Sequence, residues 1–281
     1  MSTPRIDAHQ HFWRLAERAG AWPPPALSAI HRDFGPQDLA PLLEASGIDG
    51  TVLVQSLPSL AETRTLLAQA RTTTFVRGVV GWVDMKAADA ADTVAELARD
   101  PLLKGLRPML QDLADDDWIA DPATAPAAEA MTRHGLVFDA LVLPRHLRAL
   151  RRFANRHPGL AIVVDHAAKP PIALGQIQPW RDDLARLAEL PQLHCKVSGL
   201  LTEAGDKPRL EDLLPWFEPL WASFGPSRLL WGSDWPVLRL AGDYAGWLAT
   251  TLDLLAAAHP PATDAERVAV LGANAATLYR L

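Results

Sequence analysis

Arg5-Ile6-Asp7-Ala8-His9-Gln10-His11 stands near the start of the chain, and Leu229-Leu230-Trp231-Gly232-Ser233-Asp234-Trp235-Pro236 stands near its end. The first reads as a short apolar strand that finishes in two histidines one residue apart. Side chains alternate across a strand, so His9 and His11 share a face, and strict alternation puts Asp7 beneath them. Two imidazoles on one face can hold a metal ion or polarise a carbonyl oxygen. The second stretch is another apolar strand, and it ends in the carboxylate of Asp234. A histidine pair on the first strand and an aspartate on the last predict a closed barrel with a hydrolytic centre at its mouth.

Between these two stretches the chain alternates. Apolar runs predict eight strands at 5–11, 50–56, 76–84, 103–110, 135–143, 161–166, 193–200 and 228–234. Helical periods fill the intervals at 36–45, 60–70, 87–99, 123–133, 145–155, 179–188 and 210–224, with two more at 244–258 and 264–271. Strands alternating with helices predict a parallel sheet, and eight such units in one domain predict an α/β fold, the (β/α)8 barrel. A doubly wound sheet would want a glycine-rich turn after strand one, where this chain has His11-Phe12-Trp13-Arg14. Residues 13–34, with Pro23-Pro24-Pro25, read as a long loop placed to act as a lid.

Composition narrows the function. An apolar fraction of 49% suffices for a large core, and a net charge of −6 without a basic stripe argues against a nucleic-acid partner. No apolar run reaches the ~20 residues of a membrane span, and the first residues carry no leader-like apolar stretch, so a cytoplasmic monomer or homodimer is expected. Cys195 is the single cysteine. That excludes an internal disulfide and a cysteine-based zinc site, and its apolar surroundings predict an inert buried thiol.

Functional residues of such barrels sit at C-terminal strand ends. The strand tops offer His9 and His11, Gln55, Trp82 and Asp84, Lys104 and Arg107, Asp139, Asp165 and His166, Lys196 and Ser198, and Asp234 with Trp235 just beyond. Alternation sets His166 with Val164 and Ile162, opposite Asp165, and sets Asp234 with Gly232 and Leu230. Lys104 and Arg107 face opposite ways, and Arg107, nearer the top, is the pocket candidate. Asp7 reads as a supporting group, Lys196 as a buried ion-pair partner, and Asp139 equally as a structural or a site residue. His31, His134, His146, His157, His194 and His259 read as packing or solvent residues, and Arg151-Arg152 as a solvated helix face.

At these residues the sequence resembles the amidohydrolase superfamily, in the amidohydrolase-2 branch that includes sugar-lactone hydrolases. The likeness runs through Ile6-Asp7-Ala8-His9-Gln10-His11-Phe12-Trp13, Lys104-Gly105-Leu106-Arg107, Gly135-Leu136-Val137-Phe138-Asp139, Asp165-His166-Ala167-Ala168-Lys169-Pro170, Cys195-Lys196-Val197-Ser198-Gly199-Leu200 and Trp231-Gly232-Ser233-Asp234-Trp235-Pro236. It implies a distorted (β/α)8 barrel that opens a sugar-acid lactone of the L-fuconolactone or L-rhamnonolactone type. Asp234 would activate water, while His9, His11 and His166 polarise the carbonyl or, with Asp234, bind one divalent metal ion, zinc first. Metal-independent action is the other option. Strand five ends in Asp139 and offers no histidine, a departure from two-metal members. Arg107 would meet the nascent carboxylate or ring oxygen, Gln55 the hydroxyls, and Trp82 with Trp235 an apolar sugar face. The alternatives are a decarboxylase or hydratase of an aromatic or dicarboxylic acid, which would want several arginines at strand tops, and a sugar-binding barrel without turnover.

Overall fold

The structure is a computed structural model that describes residues 3–205 and 208–281. Parallel strands follow one another in chain order, each paired with the next: β1 (Ile6–Gln10), β2 (Gly50–Val54), β3 (Val76–Gly81), β4 (Leu103–Leu106), β5 (Val137–Ala140), β6 (Ile162–Val164), β7 (Leu193–Val197) and β8 (Leu229–Trp231). Past β8 the chain returns to β1. The Asp234 N–H donates to the His9 carbonyl at 2.8 Å, and the His11 N–H donates to the Trp235 carbonyl at 2.8 Å. These two bonds close the sheet at its upper rim, which makes the expected barrel. Each strand is shorter than its apolar run, because the runs continue into the loops that form the mouth.

The helices are α1 (Pro36–Ser46), α2 (Leu60–Arg71), α3 (Ala90–Leu97), α4 (Ala125–His134), α5 (Leu147–Arg156), α6 (Trp180–Ala188), α7 (Leu200–Glu203), α8 (Leu210–Phe224), α9 (Tyr244–Ala257), α10 (Asp264–Val268) and α11 (Asn274–Tyr279). Several start at side-chain caps: the Ser59 hydroxyl accepts from the Glu62 N–H at 3.3 Å, and Asp243 accepts from the Gly246 N–H at 2.8 Å. The predicted helix at 264–271 stops at Val268 and passes through a wide turn into α11. Neither α7 nor α11 was expected from the helical period, since α7 is a single turn.

Ile6, Ala8, Val52, Val54, Val80, Val137, Val163 and Leu230 fill the lower barrel, and Ala275 and Tyr279 of α11 close its floor. Opposite-face residues such as Leu53, Phe138, Ile162, Cys195 and Trp231 pack under the helices. Apolar side chains inside thus give way to polar ones only near the top. The segment 13–34 is a clasped loop. Its ends exchange two hydrogen bonds, Trp13 N–H to the Phe34 carbonyl at 3.0 Å and Phe34 N–H to the Trp13 carbonyl at 2.9 Å. Buried Arg18 ties its middle to Glu62 at 3.2 Å and to the Ser56 hydroxyl at 3.0 Å.

Gly105 is required by space. A Cβ there would lie 2.6 Å from the Val137 carbonyl oxygen and 3.2 Å from Asp139 Oδ1. Gly105→Ala is therefore expected to push β4 from β5 and to lower stability by about 1–3 kcal/mol, read as a fall in the urea unfolding midpoint at unchanged slope.

Candidate active site

His9, His11, His166 and Asp234 converge on one point at the barrel mouth. His9 Nε2 lies 3.2 Å from His11 Nε2. Asp234 Oδ1 lies 3.3 Å from His11 Nε2, 3.7 Å from His9 Nε2 and 3.8 Å from His166 Nε2. All four side chains are buried. The outer nitrogens are also held. His11 Nδ1 meets the Val54 carbonyl at 2.7 Å, and since a carbonyl can only accept, Nδ1 carries a proton and Nε2 faces the cluster. His166 Nδ1 meets the Ser198 hydroxyl at 2.8 Å.

A second layer of buried charge lies directly below. Lys196 Nζ contacts Asp139 Oδ2 at 2.6 Å, Asp165 Oδ1 at 3.0 Å and His9 Nδ1 at 3.2 Å. The Tyr279 hydroxyl donates to Asp139 Oδ2 at 2.8 Å. Arg107 Nη1 reaches Asp165 Oδ2 and His9 Nε2, each at 3.3 Å, while its other terminal nitrogen donates to the Gln55 carbonyl. Two cations thus balance two carboxylates beneath a neutral imidazole.

Burial pushes the imidazoles toward their neutral form: His9 well below its ordinary value, and His166 down to about 4. Burial raises a carboxyl, yet at Asp234 the neighbouring His166, His11 and His9 outweigh it and hold the group below the ordinary carboxylate range. Burial likewise pushes Asp139 up to about 6 against the pull of Lys196. Asp165, between Lys196, His9 and Arg107, stays well below the ordinary range in spite of its burial.

Backbone conformation explains how neighbours Asp165 and His166 both reach the site. Alternation along β6 points Val163 and then Asp165 inward. His166 should therefore face out, but the chain leaves the strand in a left-handed turn, with φ of 51°, 52°, 60° and 49° from His166 to Lys169. The Lys169 N–H closes this turn on the His166 carbonyl at 2.7 Å, and the Trp180 indole N–H holds the Ala167 carbonyl at 2.8 Å. Gly199, itself at φ 68°, lies against the His166 ring, where a Cβ would approach to 2.8 Å. The predicted pairing of His166 with Val164, opposite Asp165, is thus corrected. Asp165 enters by strand parity and His166 by the turn.

Asp7 needs a similar correction. The pairing register of β1 with β2 shifts between Asp7 and Gln10, so Asp7 does not lie beneath His9. Its carboxylate faces the outer side, where it accepts from the Ser233 N–H at 2.8 Å, the Ser233 hydroxyl at 2.6 Å and the Tyr244 hydroxyl at 2.9 Å. It latches β1 to the segment that carries Asp234.

The other predicted contacts divide. Arg107 and Gln55 reach the cluster's edge, but the Gln55 amide N–H donates to the Arg107 carbonyl at 2.7 Å, and its Oε1 is buried without a partner. Trp235 is turned away. It is 2% exposed and packed edge-on to Phe12 and Phe34 at 6.2 and 5.3 Å between rings, because Asp234 takes the inward position beside it. Trp82 is half-buried and bound through its backbone N–H to the Thr63 hydroxyl at 2.8 Å. Asp84 is exposed beyond the end of β3, and Lys104 reaches down to the Arg280 carbonyl at 2.8 Å. Cys195 is buried and free, its thiol pushed far up by desolvation, as its apolar setting predicts. Lys196 is the buried ion-pair partner that the sequence reading expects, held by Asp139 and Asp165, while Asp165, set opposite the site by the parity reading, lies within it.

The upper group fits one metal ion. Ligands about 2.0–2.1 Å from a tetrahedral ion stand roughly 3.3 Å apart, and His9, His11 and Asp234 present atoms at that spacing. His9, Asp165 and His166 also come together. There, however, Asp165 already carries contacts from both Arg107 and Lys196, so a metal ion at that group would meet two fixed positive charges.

The fold and this site define an amidohydrolase. The amidohydrolase family model matches residues 6–281, and the chain belongs to that family. Among its relatives, an L-fucono-1,5-lactonase of Burkholderia ambifaria is 57% identical over 282 residues, covering 99% of this chain and 96% of that protein. An L-fucono-1,5-lactonase of Burkholderia multivorans is 37% identical, over 100% of this chain and 97% of that protein. The crystal structure of a Burkholderia multivorans amidohydrolase with bound zinc superposes with a TM-score of 0.92 at 35% identity, covering 99% of each chain.

The protonation pattern has a measurable consequence. Unfolded histidines take up protons near 6.5, whereas folded His9 and His166 do so only at lower pH. The stability they contribute is therefore present above about 6.5 and lost as pH falls toward about 4. Asp139, raised in the folded chain to about 6, opposes this together with the raised Asp7 and Glu203, while His146, His157 and His194, lowered by burial, act in the same direction as His9 and His166. In metal-free protein the unfolding free energy is expected to fall between pH 7 and pH 4.5, and His166→Gln is expected to flatten that fall in urea titrations.

Proposed function

We infer that the chain is a lactonase that opens the ring ester of a sugar-acid lactone, of the L-fucono-1,5-lactone type, to the free acid. The observation that carries this is the convergence of three buried imidazoles on the buried carboxyl of Asp234 at the barrel mouth. The near-full-length likeness to L-fucono-1,5-lactonases supports the substrate class.

Lactone hydrolysis needs an activated water, a place for the oxyanion and a proton for the leaving alkoxide. Asp234 accepts the proton of a water as that water attacks the carbonyl carbon. Its low basicity suits the return step, in which the protonated carboxyl gives the proton to the ring oxygen as the ester bond breaks. His9, His11 and His166, together with Asp234, would hold one divalent ion, zinc first, and the ion would polarise the lactone carbonyl. Asp165 and Lys196 fix the His9 ring through Nδ1, and Ser198 fixes His166. Gln55 Oε1, buried and unpartnered, is an acceptor for a substrate hydroxyl. Arg107 is held by the Gln55 carbonyl, Asp165 and His9, so it shapes the floor and meets the carboxylate product only through its edge.

A decarboxylase or hydratase of an anionic acid would need several free arginines at the mouth. Arg107 is the arginine at the cluster among the described residues, and both its terminal nitrogens are already bound. A cytoplasmic monomer or homodimer completes the reading, in keeping with the free, buried Cys195. No helix among the described residues is long and apolar enough to cross a membrane.

In a pH-indicator assay on L-fucono-1,5-lactone, Asp234→Asn is expected to lower kcat by about 10²–10⁴-fold with KM changed far less. Near-native turnover would remove Asp234 from the base role. Treatment with a chelator is expected to lower kcat and added zinc to restore it. A rate indifferent to both would leave carbonyl polarisation to the imidazoles alone.

A further inference from the structure

Two opposite charges stand beside the cluster, and the bonding among the described residues leaves them unspent. Lys169 ends the left-handed turn that carries His166. Glu203 ends α7, which starts beyond Gly199, the residue lying against the His166 ring. α7 packs between the short turn Ile172–Leu174, just beyond Lys169, and the turn Val237–Leu240, just beyond Asp234. Glu203 therefore stands at the rim between the ends of β6 and β8. Both side chains are half-buried. Among the described residues neither makes an ion pair or a side-chain hydrogen bond, whereas Arg107, Lys196 and Asp165 are committed to one another and to His9.

Burial and the negative charge of Asp234 raise the Glu203 carboxyl, with Lys169 pulling the other way. A half-buried carboxylate without a donor among the described residues is free to accept from a ligand. A hydroxylated lactone ring supplies such donors. A carboxylate is acceptor-only, with two oxygens that suit a vicinal pair of hydroxyls, while an ammonium donates to hydroxyl oxygens.

We propose that Glu203, with Lys169 as its counter-charge, reads the ring hydroxyls of the substrate and so selects polyhydroxylated lactones over plain ones. This rests on the lactonase reading and names the residue that gives it specificity. Neither residue forms or breaks a bond in the reaction.

The test compares wild type, Glu203→Gln and Glu203→Asp on L-fucono-1,5-lactone and on unsubstituted δ-valerolactone. Binding of the matching 1,5-anhydroalditol, a ring without the carbonyl, is measured by calorimetry. Loss of a charge-assisted hydrogen bond predicts that Glu203→Gln lowers the ratio of kcat/KM values, hydroxylated over plain, by about 10- to 100-fold, chiefly through KM. The anhydroalditol should bind correspondingly more weakly, and Glu203→Asp should recover part of both. An active wild type whose ratio and anhydroalditol affinity are unchanged in Glu203→Gln overturns this inference alone. A wild type inert toward both lactones overturns the lactonase reading, and the inference with it.

Discussion

A lysine ammonium shut off from water sits at the centre of this barrel, and the site is arranged around it. Removing a charge from water costs several kcal/mol even after relaxation, and only close partners in good geometry offset that. Lys196 has the carboxylates of Asp139 and Asp165 as acceptors, with His9 Nδ1 beside them at 3.2 Å. Arg107 balances the remaining carboxylate oxygen of Asp165. The lower layer is thereby neutral, and Asp234 above it carries the unbalanced charge among the imidazoles. Tyr279 reaches the same network from the last helix, through Asp139. The residue that closes the floor of the barrel thus also supports the platform for His9.

The second constraint is conformational. A left-handed residue other than glycine costs roughly 1–2 kcal/mol, and the four from His166 to Lys169 are consecutive, with Asp234 adopting the same conformation across the mouth. The strain collects at the candidate site, where the surroundings over-determine the backbone. The Trp180 indole, the Ser198 hydroxyl and the bare face of Gly199 supply that determination. The result is that two adjacent residues enter one pocket with different tasks. Asp165 anchors cations below, and His166 faces the reacting centre above. The Asp7 latch does similar work at the seam, fixing Ser233 so that Asp234 meets His9 across the closing bonds.

The barrel and the four converging side chains were legible in the sequence because they follow from short-range rules. Alternating strand and helix periods determine the topology. Strand ends collect polar residues only where the barrel opens, so His9, His11, His166 and Asp234 could be named one strand at a time. Parity set Lys104 and Arg107 on opposite faces, and the place of Arg107 nearer the strand top made it the inward candidate, as it is in the structure.

What failed was whatever depended on a break in those rules. A register shift in β1 moved Asp7 to the outer face, and a run of left-handed residues brought His166 in beside Asp165. Trp235 went to the packing beneath the clasped loop because Asp234 held the inward place. The sequence by itself determined which chemical groups reach the mouth, since alternation and chain order are local properties of the backbone. Which of them carry charge, which are committed to internal partners and which are free for a ligand was decided only by the tertiary structure. Desolvation and hydrogen bonding depend on neighbours brought from as far away as Tyr279, and no local pattern encodes those distances.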